Sequence, residues 1–383
     1  MPTLERAPTR NYHTMIMDSG RWNDFQPRPD DIVIATFPKC GTTWTQRIVD
    51  LLVHQDPTPR PVFKTSVWLD ARIFAPLEDG LAELESQTHR RFIKSHLPFD
   101  SLPVYDTVKY IHVARDGRDA FLSWHNHVSG FTPEFKARIA AIAEEDPLLT
   151  PPPRREVPEN PQLFFQPWIA AAEAEPRVGP GEDLSYFDFE NTYWEERGRK
   201  NLLLVHYNDL KADLPGEMRR ISQFLEIDTP DERLETLAAA ARFDAMKADG
   251  ETLLPNIKMA FDHGAQRFLN KGVNGRWRDV LTEADLARYQ AVVDRKLSPS
   301  CAAWLEKGRL GAGDPLTLAD SRPFSVSSPP APRSASPPSA ESSAVLARVT
   351  ASSNAISQID SLRSHSGSPS GAVVTVRRSV VIL

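Results

Sequence analysis

The chain has 383 residues, 40% hydrophobic and 25% charged, enough for one large α/β core or two smaller ones. A formal net charge of −6 excludes the basic surface of a general nucleic-acid binder, so any anion site must be local. Two cysteines, Cys40 and Cys301, are too few for a disulfide framework or a zinc site, and no stretch approaches the ~20 apolar residues that span a bilayer. Residues 1–10 are polar and lack an apolar signal core, so these features predict a soluble, cytoplasmic chain with no transmembrane segment.

Residues 1–30 carry Tyr12, Trp22 and Phe25 and read as an N-terminal arm laid over the core. The β-branched run Ile32-Val33-Ile34-Ala35 predicts a strand buried on both faces. Trp44, Ile48, Leu51 and Leu52 follow at the spacing of one buried helical face. Between them lies Thr36-Phe37-Pro38-Lys39-Cys40-Gly41-Thr42-Thr43, and a strand, tight loop and helix in that order make an anion cradle. Gly41 lets the backbone approach a ligand, and Thr42 and Thr43 bring hydroxyls to a helix N-terminus whose free N–H groups and dipole attract anions. The loop is P-loop-like but does not spell the nucleotide-binding pattern of a glycine, four residues, then Gly-Lys and Ser or Thr. Lys39 precedes the glycine, so its ammonium approaches from the strand side, and no dedicated magnesium ligand is spelled out.

A short strand at Arg91-Phe92-Ile93 places Lys94 and His96 just beyond its C-terminal end, where open α/β sheets bind ligands. A strand over 108–114 ends at Arg115, whose fork suits a second phosphate, and helical spacing resumes with Ala120, Ser123, Trp124 and His127. Residues 130–195 are rich in proline and read as an irregular insertion, a candidate acceptor lid, with Phe164, Phe165 and Trp168 as pocket wall or as core anchors. A strand at 202–205 and helices from about 215 and over 231–242 complete an alternation that implies a mainly parallel sheet flanked by helices. A last helix is expected over 282–297. Residues 313–383 turn to Ser, Pro and Ala and predict a disordered tail, because such a segment cannot offset its ordering entropy.

Five stretches in order, TFPKCGTTW, FIKSHLP, HVARDGRDAFLSW, VHYNDLKADL and FLNKGVNGRW, resemble the cytosolic-type sulfotransferases that use 3′-phosphoadenosine 5′-phosphosulfate (PAPS). The likeness covers roughly residues 20 to 300 and implies an α/β sulfotransferase domain over 31–312. It implies that Lys39, Cys40, Gly41, Thr42, Thr43 and Trp44 hold the 5′-phosphosulfate. It also implies that Arg115 and Ser123 grip the 3′-phosphate with Asn270, Lys271 and Gly272, and that Tyr207 and Phe243 contact adenine. His96 matches the family's catalytic base and Lys94 its second lysine. Asn270 stands where the family has arginine, one guanidinium contact fewer, and Cys40 stands where serine is common. Arg278, Thr282-Glu283 and Ala287 only partly match the family's dimer motif, which leaves a homodimer open.

The chemistry needs these residue types. An attacking alcohol must lose a proton, and an imidazole of ordinary pKa ~6.5 accepts one near neutral pH. The departing bridging oxygen gathers negative charge, which Lys39, Lys94 and the loop amides can offset without a metal, with Ser123 adjusting Lys39. The expected acceptor is a small-molecule or lipid-linked hydroxyl. Two other readings stay open: a P-loop Mg-ATP phosphotransferase, with Asp116 as the magnesium carboxylate, and a nucleotide-binding protein without catalysis, for which Asn270 speaks.

Overall fold

The computed structural model describes residues 1–151, 156–177 and 179–320. In chain order, the elements that position the site are β1 (Leu4–Arg6), β2 (Ile32–Ala35), α1 (Thr42–His54), β3 (Phe92–Ser95), β4 (Val104–Tyr105), β5 (Lys109–Ala114) and α2 (Gly117–Ser129). They continue with α3 (Pro133–Glu145), α4 (Pro161–Glu173), α5 (Tyr186–Trp194), β6 (Leu202–His206), α6 (Leu214–Phe224), α7 (Asp231–Ala240), α8 (Glu283–Lys296) and α9 (Pro299–Ala312). Strands β3, β2, β5 and β6, in that spatial order, form a wholly parallel sheet. A separate antiparallel pair joins β1 to β4.

Every residue of β2 is buried, and its alternate side chains enter different cores. Ile32 and Ile34 join Ile48, Leu51 and Leu52 of α1 with Met218 and Leu234 of α6 and α7. Val33 and Ala35 join Tyr110, Phe121, Phe165, Phe187 and Trp304 on the opposite side. A strand covered on both faces has no polar position to alternate with, which is why its sequence is a continuous apolar run. The register aligns Ala35 with Ser95 on one neighbour and His112 on the other, and Ala114 with His206. Thr36, His96, Arg115 and Tyr207 therefore leave their strands at the same carboxyl edge. Strand β3 runs through Ser95, so Lys94 lies within it and only His96 falls beyond its end.

The N-terminal arm buries Tyr12, Trp22 and Phe25 in the second of these cores. Among the described residues of 130–195, three helices, α3, α4 and α5, stand where an irregular insertion is expected. Pro133 after the Thr132 cap and Pro161 after the Asn160 cap stand at helix starts, where a missing N–H costs nothing, and Pro167 lies inside α4. Phe165 is fully buried and anchors α4, while Phe164 and Trp168 are partly buried against the same core.

The expected last helix is followed by another. Ser298 caps α9 by accepting from Cys301 N, Pro299 takes the first helical position, and Trp304 is buried beneath it. Residues 313–320 are likewise held: Arg197 Nε donates to Pro315 O at 3.0 Å, and Ser300 Oγ bonds Asp320. The folded part thus extends past the expected boundary at 312, and the rest of the expected disordered tail, 321–383, lies outside the described residues. Among the described residues, no helix is long and apolar enough to cross a membrane.

Below the sheet, Arg91 donates through Nε to Asp31 Oδ1 at 2.9 Å, and both side chains are almost fully buried. Removing one partner leaves the other charge buried and unpaired, so Asp31→Ala should lower the unfolding free energy by about 3–5 kcal/mol, read by urea denaturation.

Candidate active site

The loop between β2 and α1 turns back through two left-handed residues, Lys39 at φ 72° and Gly41 at φ 118°. A Cβ at Gly41 would stand 3.1 Å from the Tyr207 ring, so backbone angle and packing both call for glycine. Gly41 is also the N-cap of α1, and no side chain caps that helix, so its first N–H groups face the loop's concave side unclaimed by a cap. Cys40 points the other way. It is fully buried in the hydrophobic core, and burial pushes its thiol well above the ordinary range, so only its backbone serves the loop.

Thr36 ties the loop to the imidazole. Its carbonyl accepts from His96 Nδ1 at 2.7 Å, and its hydroxyl lies 2.6 Å from Thr42 Oγ1 at the head of α1. A carbonyl only accepts, so Nδ1 carries the hydrogen and Nε2 keeps its lone pair. Burial, then the Lys94 and Lys39 charges, hold the His96 pKa well below the usual imidazole value. Asp70 supports the same group from behind. Its carboxylate accepts from His96 N at 3.3 Å, from the Trp68 indole at 2.8 Å and from the Trp22 indole at 3.3 Å. Trp68 in turn meets the His96 ring edge-on at 4.9 Å and lies under the Lys94 ammonium at 3.8 Å.

Both lysines are depressed to a pKa of about 7, chiefly by burial. Arg115 repulsion adds to the effect at Lys39 and Lys39 repulsion at Lys94, where Asp70 partly offsets it. Lys39 Nζ sits 3.1 Å from His127 Nδ1. Among the described residues it makes no hydrogen bond to Ser123, the residue expected to adjust it.

Farther along the edge, the Arg115 guanidinium donates to Asn274 Oδ1 at 2.7 and 3.1 Å and lies 4.3 Å over the Tyr207 ring. Trp44 donates its indole hydrogen to Ala241 O at 2.7 Å and meets Tyr207 edge-on. Gly272, at φ 62°, brings the late loop against Phe243, which a Cβ would meet at 3.0 Å. Lys211 Nζ donates to Gly272 O at 2.6 Å, adding a cation beside this loop where Asn270 supplies none. Asp116 does not stand ready for a metal: Arg118 engages both its oxygens, at 3.0 and 2.6 Å, and the carboxylate caps α2.

Most of these groups open on one cavity of about 480 Å³, with Thr36, Asp70, Asp116, Lys211 and Asn274 standing behind its lining. His96, Lys39, Lys94, Ser123, Gly41, Thr42, Thr43, Trp44, Arg115, Tyr207, Phe243, Asn270, Lys271 and Gly272 line it, and Cys40 alone of the sequence-named set does not. Its remaining wall is aromatic, with Phe63, Phe74, Phe131, Phe135 and Phe261 prominent. Sequence reasoning did not assign Asp70, His127 or Asn274 a role. Only His127 left a trace, one turn after Ser123 on the helical face that follows Arg115.

The sulfotransferase domain model matches residues 29–300. The chain belongs to the sulfotransferase family. This sulfotransferase is 36% identical over 312 residues to a glycolipid sulfotransferase of Mycobacterium bovis, with 78% of this chain and 95% of that protein covered. It is 28% identical to sulfotransferase 1B1 of Mus musculus, covering 73% and 86%. Among solved structures, a mouse sulfotransferase complexed with PAP, the desulfated donor product, gives a TM-score of 0.50 at 21% identity, covering 73% of this chain and 88% of that one. A retinol dehydratase with androsterone and PAP gives 0.51 at 21%, covering 73% and 84%, and both likenesses speak to the fold.

Gly41→Ala should cost about 1–2 kcal/mol from its left-handed angle alone. Urea denaturation of that variant against the parent measures it, with a larger loss where the Tyr207 ring does not yield.

Proposed function

We infer that this sulfotransferase moves the sulfuryl group of PAPS to a hydroxyl of a lipid-linked acceptor, with His96 as general base. The reading rests on one observation: the His96 ring is fixed by Thr36 O with its basic Nε2 left for the cavity, beside two amines and a helix start without a side-chain cap. In this reading Nε2 takes the acceptor's hydroxyl proton as the oxygen bonds to sulfur, and the S–O bond to the bridging oxygen breaks. Lys39, Lys94 and the amides at the start of α1 offset the charge that gathers on the leaving PAP. Arg115 and the late loop hold the nucleotide's second phosphate, against which Lys211 makes up part of the charge missing at Asn270. The aromatic wall suits an apolar acceptor body, and the glycolipid sulfotransferase of Mycobacterium bovis supports a lipid-linked hydroxyl.

The depressed lysines give the reaction a pH signature. A cation whose pKa is lowered to about 7 is charged below that value and loses its charge as pH rises through it. The kcat/KM for PAPS should therefore fall above about pH 7, while the limb in kcat lies higher, because the bound anion restores the protons. A flat kcat/KM from pH 6 to about 9 would remove the lysines from donor capture.

His96→Ala should lower turnover by roughly 10²–10⁴ while leaving PAP affinity within about threefold, measured with labelled PAPS and by calorimetry. Near-normal turnover would take the base role from His96. A screen of labelled PAPS against glycolipids, long-chain alcohols and phenols tests the acceptor, and transfer to phenols alone would refute the lipid-linked assignment.

A further inference from the structure

The wall of the cavity carries a carboxylate that none of the motifs names. Among the described residues that line it, Lys39, Lys94, Arg115, Lys271 and Arg276 are cations, and Asp183 is the sole acid. An anionic donor seeks the cations and is repelled by that acid, so Asp183 belongs to the part of the cavity that the donor leaves open. It stands two residues before the Ser185 cap of α5 and is exposed, and the Tyr12 hydroxyl of the N-terminal arm donates to its Oδ1 at 2.8 Å. Tyr12 is buried, and its hydroxyl also accepts from Leu184 N at 3.3 Å, so the phenol is fixed and the carboxylate is fixed by it. Gly181 N donates to His13 O at 2.7 Å, which clamps the arm to this segment. Among the described residues, Asp183 Oδ2 has no hydrogen-bond partner.

We propose that Asp183, oriented by Tyr12, determines acceptor specificity: its free Oδ2 accepts a hydroxyl hydrogen from a neutral polyol head and so selects lipid-linked acceptors that carry more than one hydroxyl. The inference rests on the reading of the cavity as the site of sulfuryl transfer from PAPS. One hydroxyl reacts at His96 while another holds the head at Asp183. A carboxylate on a largely apolar wall is costly to cover unless the covering group bonds to it, and a polyol supplies that hydrogen while its chain packs on the aromatic side. A plain long-chain alcohol has no second hydroxyl to give, so it leaves Oδ2 unpaired. An ammonium head would enter a cavity already lined by five cations, whereas a hydroxyl brings no charge to be repelled.

The test is transfer from labelled PAPS to an alkyl glycoside, to the alkanol of the same chain length and to an amino alcohol of that length, with PAP affinity measured on the same samples. The parent should favour the glycoside. Asp183→Ala should lower the ratio of kcat/KM for glycoside to that for alkanol by about tenfold to a hundredfold, the worth of one hydrogen bond to a charged group. Asp183→Asn, which keeps an oxygen but not the charge, and Tyr12→Phe, which removes the guide, should each lower the ratio by about threefold, and they make the comparison where the alanine variant does not fold. Structural damage slows both acceptors alike, so a change in their ratio is specific to recognition of the head. A parent indifferent between glycoside and alkanol, or a ratio unchanged in Asp183→Ala that binds PAP normally, overturns the proposal. A loss confined to the amino alcohol gives the carboxylate to a cation and overturns it too, whereas a parent that transfers to none of the three takes away the sulfuryl-transfer reading beneath it.

Discussion

Thr36 carries the constraint on which the rest of the site depends. Through its carbonyl it fixes the tautomer and direction of His96, and through its hydroxyl it touches Thr42 at the head of α1. One residue at the end of a buried strand thus sets the distance between the proposed base and the proposed donor cradle. It can do so because parallel pairing in register brings β2 and β3 to a common edge, so that neither group depends on a mobile loop for its position. Asp70 adds a support from outside the sheet, spacing Trp68 against both His96 and Lys94.

The second consequence is electrostatic. Two amines and two imidazoles share one cavity, and each is pushed toward its neutral form chiefly by burial. Such a site is poised for an anion, whose charge would offset the penalty that burial places on the lysines. Asp70 is the carboxylate that reaches this group, through His96 N and the Lys94 charge, and Asp116 is committed to Arg118.

Much of this was legible because strand ends are. An apolar run followed at once by polar residues marks where a buried strand meets the site, and four such runs gave the sheet and the strand-end residues His96, Arg115 and Tyr207 with the loop from Thr36 to Thr43. The proline-rich stretch hid its helices for a physical reason: proline suits a helix's first position, which Pro133, Pro161 and Pro299 take behind the Thr132, Asn160 and Ser298 caps, and α4 continues through Pro167. Asp70 and Asn274 were not legible at all. Each works by long-range hydrogen bonds, to His96 and to Arg115, and no local spacing announces a partner 26 or 159 positions away. Cys40 shows the converse limit, since a loop residue between two ligand-facing neighbours turns its side chain into the core.

The central claim is that His96 is held neutral with its hydrogen on Nδ1. Nitrogen-15 spectra of histidine-labelled protein, assigned against the His96→Ala variant and followed with pH, report it directly. The account predicts a protonated Nδ1 and an unprotonated Nε2, with titration displaced well below that of a solvated imidazole. A hydrogen on Nε2, or a midpoint near about 6.5 as for a solvated imidazole, would contradict it.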